Sequence, residues 1–159
     1  MINQRFYFHL SARTKNDYYF KSPIPKVWDE CLNNFLKNPK KKDVDFIGFV
    51  LMSNHYHLLI RAKFDDMKEF MHSFYIPNMN DYNFETIQSN RYLKYSYRYI
   101  YQNPIRANLV KNVQDYPYSF IHYLYNQKEL KLNICDLYGF NDEYKSLWLN
   151  KKSPRDPGL

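Results

Sequence analysis

The 159-residue chain predicts an α+β domain, a central antiparallel sheet with helices packed on one of its faces. Three observations carry that prediction. Residues 5–13 alternate apolar and polar side chains with the period of a strand. Residues 45–52 and 55–61 are apolar runs separated only by the turn pair Ser53-Asn54, so they read as a hairpin in the middle of the sheet. The other long segments repeat apolar residues every three or four positions, as amphipathic helices do.

In the first strand Phe6, Phe8, Leu10 and Ala12 share one face, and Tyr7, His9, Ser11 and Arg13 share the other. Polar residues 14–16 close it. Pro23 and Pro25 set up a helix start. Val27-Trp28, Cys31-Leu32 and Phe35-Leu36 then recur at i, i+4 and i+8, which gives one buried stripe ending near Asn38-Pro39. Lys40, Lys41 and Lys42 follow as a basic run. After the hairpin, Met67, Phe70, Met71 and Phe74 mark a helix over 65–75. The polar stretch 76–85, with Pro77 and several Asn, reads as a loop. Residues 89–103 form a helix that Pro104 kinks or ends, 105–110 is a short bridge, and 116–119 starts a short helix or turn. No internal repeat is present. Residues 1–150 make one domain, and 151–159, with Pro154, Pro157 and Gly158, read as a frayed tail.

Lys and Arg number 23 against 16 Asp and Glu, a net charge of +7. Such a balance points to a polyanionic partner, with nucleic acid ahead of an anionic membrane surface. The longest apolar run, residues 46–52, falls far short of the ~20 residues a spanning helix needs. The N-terminal residues lack an apolar signal core, and Cys31 and Cys135 make neither a disulfide framework nor a zinc site. A reduced, cytoplasmic setting is expected. Aromatic residues make up 19% of the chain, with 17 Tyr. An A/T-rich coding sequence accounts for many of them, but Tyr beside positive charge also suits single-stranded nucleic acid.

Two constellations could carry chemistry. In His55-Tyr56-His57 both imidazoles project from one face of a strand, where they can hold one divalent ion, and Tyr56 turns to the opposite face. On the later helix, with Leu93 at 0° and ~100° per residue, Tyr97, Ile100 and Pro104 form the core stripe. Tyr99 and Asn103, four apart, flank that stripe together, with Tyr101 nearer to it and Tyr95 farther toward solvent. Spacing alone leaves the blander readings open: two solvated histidines, a surface tyrosine, and Asn-Pro as a helix stop.

Taken together and in order, the motifs resemble one family. Met52-Ser53-Asn54-His55-Tyr56-His57-Leu58-Leu59-Ile60 is similar to the M-P-N-H-hydrophobic-H-L-L segment of the single-tyrosine transposases. Arg98-Tyr99-Ile100-Tyr101-Gln102-Asn103-Pro104-Ile105-Arg106-Ala107 resembles the R-Y-I-x-x-N-P-V-R-A segment of their REP-associated branch. Asp115-Tyr116-Pro117-Tyr118-Ser119 is similar to its D-Y-P-W-S, and His9-Leu10-Ser11-Ala12-Arg13 to its first strand. The likeness runs from His9 to Ser119. Tyr56 replaces the usual aliphatic residue, Ser53 replaces Pro, and the Gly-rich segment usual before the tyrosine helix is poorly matched.

The resemblance implies an HUH endonuclease fold and a metal-dependent nicking and strand-transfer activity on single-stranded or hairpin DNA. It implies His55, His57 and Asn103 as ligands of Mg²⁺ or Mn²⁺, and Tyr99 as the nucleophile. Arg13, Lys40, Lys41, Lys42, Arg61 and Arg106 are the candidate DNA contacts. A bacterial, nucleoid-associated protein is expected, as monomer or homodimer, with no membrane partner. Two alternatives compete: a hairpin DNA- or RNA-binding protein of the same fold that does not cut, and a rolling-circle initiator nuclease.

Overall fold

The computed structural model describes residues 3–137 and 143–151, so the expected tail, apart from Lys151, lies outside the described residues. Four antiparallel strands, β1 (Phe6–Arg13), β2 (Asp45–Leu51), β3 (His55–Ala62) and β4 (Asn83–Ile87), form one sheet in the order β2-β3-β1-β4. Among the described residues five α-helices accompany it: α1 (Ile24–Lys37), α2 (Phe64–Ser73), α3 (Asn90–Arg106), α4 (Phe120–Tyr125) and α5 (Glu143–Asn150). The α+β class holds, with four departures from the sequence reading.

Helices cover both faces of the sheet rather than one. Phe8, Leu10, Tyr56 and Leu58 point to the face under α1 and α2, where Phe35, Phe70 and Phe74 stack on one another and Phe74 meets Tyr56 edge-on at 5.5 Å. Their neighbours in sequence, His9 and His57, point to the opposite face, under α3, where the His57 ring meets Tyr99. Period-two alternation hides this second layer, because its strand positions are polar and give no apolar signal of a covering helix.

The β2–β3 hairpin is not central, since β2 is an edge strand and β3 and β1 fill the middle. The outer side of β2 is not bare, however. The amide of Leu51 donates to the Tyr118 carbonyl (2.9 Å) and that of Cys135 to the Phe46 carbonyl (2.8 Å). A slip in the β2–β3 register between Phe46 and Gly48 adjusts the strand beneath α3.

Residues 83–87, split between the expected loop and the stretch after it, are strand β4, which pairs with β1 from Tyr7↔Ile87 to Ser11↔Asn83. An edge strand with one partner and mostly exposed side chains needs few apolar residues, so its pattern was too faint to see.

Helix α3 runs past Pro104 to Arg106. It starts at Ser89, whose hydroxyl accepts from the Tyr92 amide at 3.1 Å, an N-cap. It sits close to β2 because Gly48 has no side chain: a Cβ there would lie 3.0 Å from the Ile100 Cδ1 and 3.0 Å from the Tyr101 hydroxyl. Its far side is covered in turn. Gln102 donates to the Leu149 carbonyl at 2.9 Å and Arg98 donates to that of Lys151, so α5 caps the face opposite the core stripe.

Candidate active site

The site forms where α3 crosses the polar face of β1 and β3. His55 and His57 lie side by side on β3, with ring centroids 5.3 Å apart, as residues two apart on a strand must. Tyr56, between them, is buried on the other face. From α3 comes Tyr99, whose half-buried ring lies 5.6 Å from that of His57, edge to face. Asn103, one turn further along, brings its side chain near enough to His55 to act on its titration, raising it against the pull of burial. The other tyrosines of α3 play different parts. Tyr97 and Tyr101 are wholly buried, and Tyr97 donates to Asp136 at 2.7 Å. Tyr95 is half-buried beside Arg91.

Each imidazole is oriented by a neighbour. Nδ1 of His55 pairs with the Oδ1 of Asn54 at 2.7 Å, and the Nδ2 of Asn54 donates to the Asp17 carbonyl at 3.2 Å. That assignment makes His55 Nδ1 the donor and leaves the Nε2 lone pair free. Nδ1 of His57 pairs with Nε2 of His9 at 2.9 Å. In the tautomer in which His57 Nδ1 donates to His9, its Nε2 lone pair is free as well.

His9 entered the sequence reading only as part of a strand motif, and no role was given to it. Its signal was there, since it alternates onto the face of Ser11 and Arg13, but the strand pairing that brings it to His57 is not visible in a sequence. Glu85, directly opposite His9 on β4, acts on it electrostatically, and the Tyr92 hydroxyl donates to Glu85 at 2.9 Å.

Burial keeps these histidines neutral. It pulls His55 down to about 4, helped by the Arg13 cation, and His57 to about 2, helped by its histidine and arginine neighbours. His9 is lowered too, by burial, against the pull of Glu85. Neutral imidazoles are the form that binds metal ions.

Asn103-Pro104 works as a unit. Proline has no N–H, so the Ile100 carbonyl, four residues earlier, loses its helical donor. The Nδ2 of Asn103 reaches back to it at 3.3 Å and to the Tyr99 carbonyl at 3.0 Å. With its nitrogen held by the helix, the amide has its oxygen left for an ion beside His55. Two Nε2 lone pairs and one amide oxygen are therefore a donor set that fits a divalent cation. All three are neutral, so the ion would keep its full charge toward an anionic ligand. Among the described residues no group of three or more His, Cys, Asp and Glu is arranged to hold a metal.

The candidate DNA contacts divide. Arg106 lies over the Tyr99 ring, its guanidinium carbon 4.6 Å from the centroid. Arg13, exposed, pairs with His55 in the β1–β3 register. Arg61 shares the histidine face of β3 but stands at its other end, over Tyr7. The lysine run is not brought to the site. Lys40 is bound by Asp66 at 3.0 Å and Glu69 at 3.1 Å on α2, Lys41 donates to the Leu36 carbonyl at the end of α1, and Lys42 is exposed.

A solved structure shares this fold over most of its length. It is a REP-associated tyrosine transposase bound to a REP hairpin, aligned over 86% of this chain and 89% of that one with a TM-score of 0.58 and 17% sequence identity. The chain has the fold of a tyrosine transposase. No family model matches the chain, and no curated protein matches it significantly. At this identity the transposase likeness is one of fold, and the chemistry rests on the residues described above. No helix among the described residues is long and apolar enough to cross a membrane.

Proposed function

We propose that the protein is a metal-dependent endonuclease and strand transferase for single-stranded, hairpin-bearing DNA, acting through a covalent bond to Tyr99. The observation that supports this most is convergence. Tyr99 stands against His57 while Asn103, on the same helix face, reaches His55. A protein that only held DNA would need none of the four so arranged.

In this reading the Tyr99 oxygen attacks the scissile phosphorus. The Tyr–O–P bond forms, the P–O3′ bond breaks, and the proton lost by the phenol balances the one gained by the departing 3′ oxygen. The product is a 5′-phosphotyrosine and a free 3′-OH. The phosphoester is conserved, so attack by another 3′-OH reseals a strand. A divalent ion, Mg²⁺ or Mn²⁺, held by His55, His57 and Asn103 would draw charge from the phosphate. The chain's own residues do the rest. Asn54 and His9 fix the ring orientations, the Asn103-Pro104 unit fixes the amide, and the Arg106 cation holds the Tyr99 ring in place and adds positive charge beside the reacting oxygen. Arg13 and Arg106 are the first phosphate contacts in this account.

The test is incubation with hairpin-bearing single-stranded DNA and Mn²⁺ or Mg²⁺. A protein–DNA band that survives denaturation is expected, and it should vanish with chelator. Hairpin binding with no such band under any metal would replace this reading with that of a binding protein.

A further inference from the structure

Tyr18 and Tyr19 are 72% and 76% exposed, and among the described residues no large apolar side chain is more so. Rings left in water at adjacent positions forgo burial that this aromatic-rich chain uses elsewhere. They do not sit on a loose loop. The amide of Thr14 donates to the Asn54 carbonyl (2.9 Å) and that of Phe20 to the Ser53 carbonyl (3.0 Å), and Thr14 also donates through its hydroxyl to the Tyr18 carbonyl. The Asn54 side chain, which orients His55, is itself held by the Asp17 carbonyl on this loop. The segment is thus fastened to the turn that precedes the first histidine. The backbone at Tyr18 is extended (φ −70°, ψ 155°), and successive side chains of an extended chain leave it on different sides. Exposed Arg13, Lys15 and Lys21 lie near them in sequence, against the one carboxylate of Asp17, which is 3.8 Å from Arg13.

Flat, solvent-facing rings among cations on a fixed base are what bind single-stranded nucleic acid, where rings stack on bases and cations follow the backbone. Resting on the function proposed above, we propose that Tyr18 and Tyr19 form a stacking platform for the unpaired strand that runs on from the scissile phosphate beside His55. The occupant is single-stranded DNA rather than a hairpin stem, because paired bases keep their faces stacked on each other. The charge suits no acidic-lipid surface better than DNA, but a membrane has no bases to stack, and the test separates the two.

The experiment compares a DNA hairpin bearing a single-stranded tail with the same hairpin made blunt, using 2-aminopurine placed along the tail. Stacking should quench the probe at one or two positions next to the stem. Replacing both Tyr18 and Tyr19 with Ala should abolish that quenching and weaken tailed-hairpin binding at least tenfold, with blunt-hairpin binding unchanged. The double Phe variant keeps the rings and should behave as the natural protein does. Tailed-hairpin binding left unchanged in the Ala variant, an equal loss on both DNAs, or tighter binding to anionic vesicles than to tailed DNA would overturn the platform. Loss of tail quenching in a protein that never forms the covalent band would uphold the platform while the cleavage reading fell. A normal band with unaltered quenching would do the reverse.

Discussion

Phenolic oxygen is the one atom of Tyr99 that the proposed chemistry consumes, and the ring around it is held from two sides by His57 and Arg106. Tyr99→Phe should therefore fold, bind hairpin DNA with unchanged affinity, and form no covalent adduct on a denaturing gel. Tyr97→Phe should still form the adduct but lose about 1–2 kcal/mol of stability in urea unfolding. It leaves buried Asp136, paired with Lys145 at 2.5 Å, short of a donor. His9 acts at one remove. His9→Phe should keep the fold while weakening Mn²⁺ binding by tenfold or more, read by calorimetry, with His9→Gln recovering part of it through its own hydrogen bond to His57. The histidines also set a pH dependence. Because folded His55 stays neutral down to about 4 and His57 to about 2, the unfolded chain alone takes up their protons below the ordinary imidazole value of 6.5. Stability in chelator is thus fully present above about pH 6.5 and falls on acidification, by about 1.4 kcal/mol per pH unit for each such proton. Melting curves between pH 7.5 and 4.5 should show it, and a His55→Gln, His57→Gln double variant should show a flatter fall.

On the scale of elements, α3 is the precision part. Gly48→Ala pushes a methyl group against Ile100 and Tyr101 at 3.0 Å, and should cost ~1–3 kcal/mol while shifting the helix that carries Tyr99 and Asn103. Adduct formation should fall more than hairpin binding. Pro104→Ala restores a backbone donor to Ile100 and releases one of the two bonds on the Asn103 amide. Its melting temperature should hold or rise, with Mn²⁺ affinity reduced. How much of this was legible in the sequence follows from where each signal resides. The His55–His57 pair was readable because a strand's period puts neighbours two apart on one face, and Tyr99 with Asn103 because a helix does the same at four. The core stripe of Leu93, Tyr97, Ile100 and Pro104 was legible for the same reason, and all four are buried. Periodicity within one element is blind to a second element that covers its polar side. Arg98 and Gln102, opposite that stripe, are buried under α5, and the histidine face of the sheet is buried under α3. Strand β4 was missed because an edge needs little apolar content, and His9 because only strand pairing brings it to His57.

For the molecule as a whole, a net charge of +7 should make hairpin affinity fall steeply with added salt. Arg13→Ala and Arg106→Ala, beside the histidines and Tyr99, should each lower the slope of log affinity against log salt by about one. The lysine run should matter less, since Lys40 is already met by carboxylates and Lys41 by a helix end. Binding measured from 50 to 300 mM salt separates the two groups. The coverage of α3 by α5 has a consequence in time rather than in space. A chain is made from its N-terminus, and the sheet with its histidines is complete by Ile87, but the carbonyls that receive Arg98 and Gln102 belong to Leu149 and Lys151. During synthesis the histidine face therefore exists some sixty residues before the tyrosine helix has its outer support. A nascent chain can hold its histidines in register while Tyr99 is still unbraced, so the order of the sequence itself postpones the assembly of the proposed site until residues 149–151 have been made.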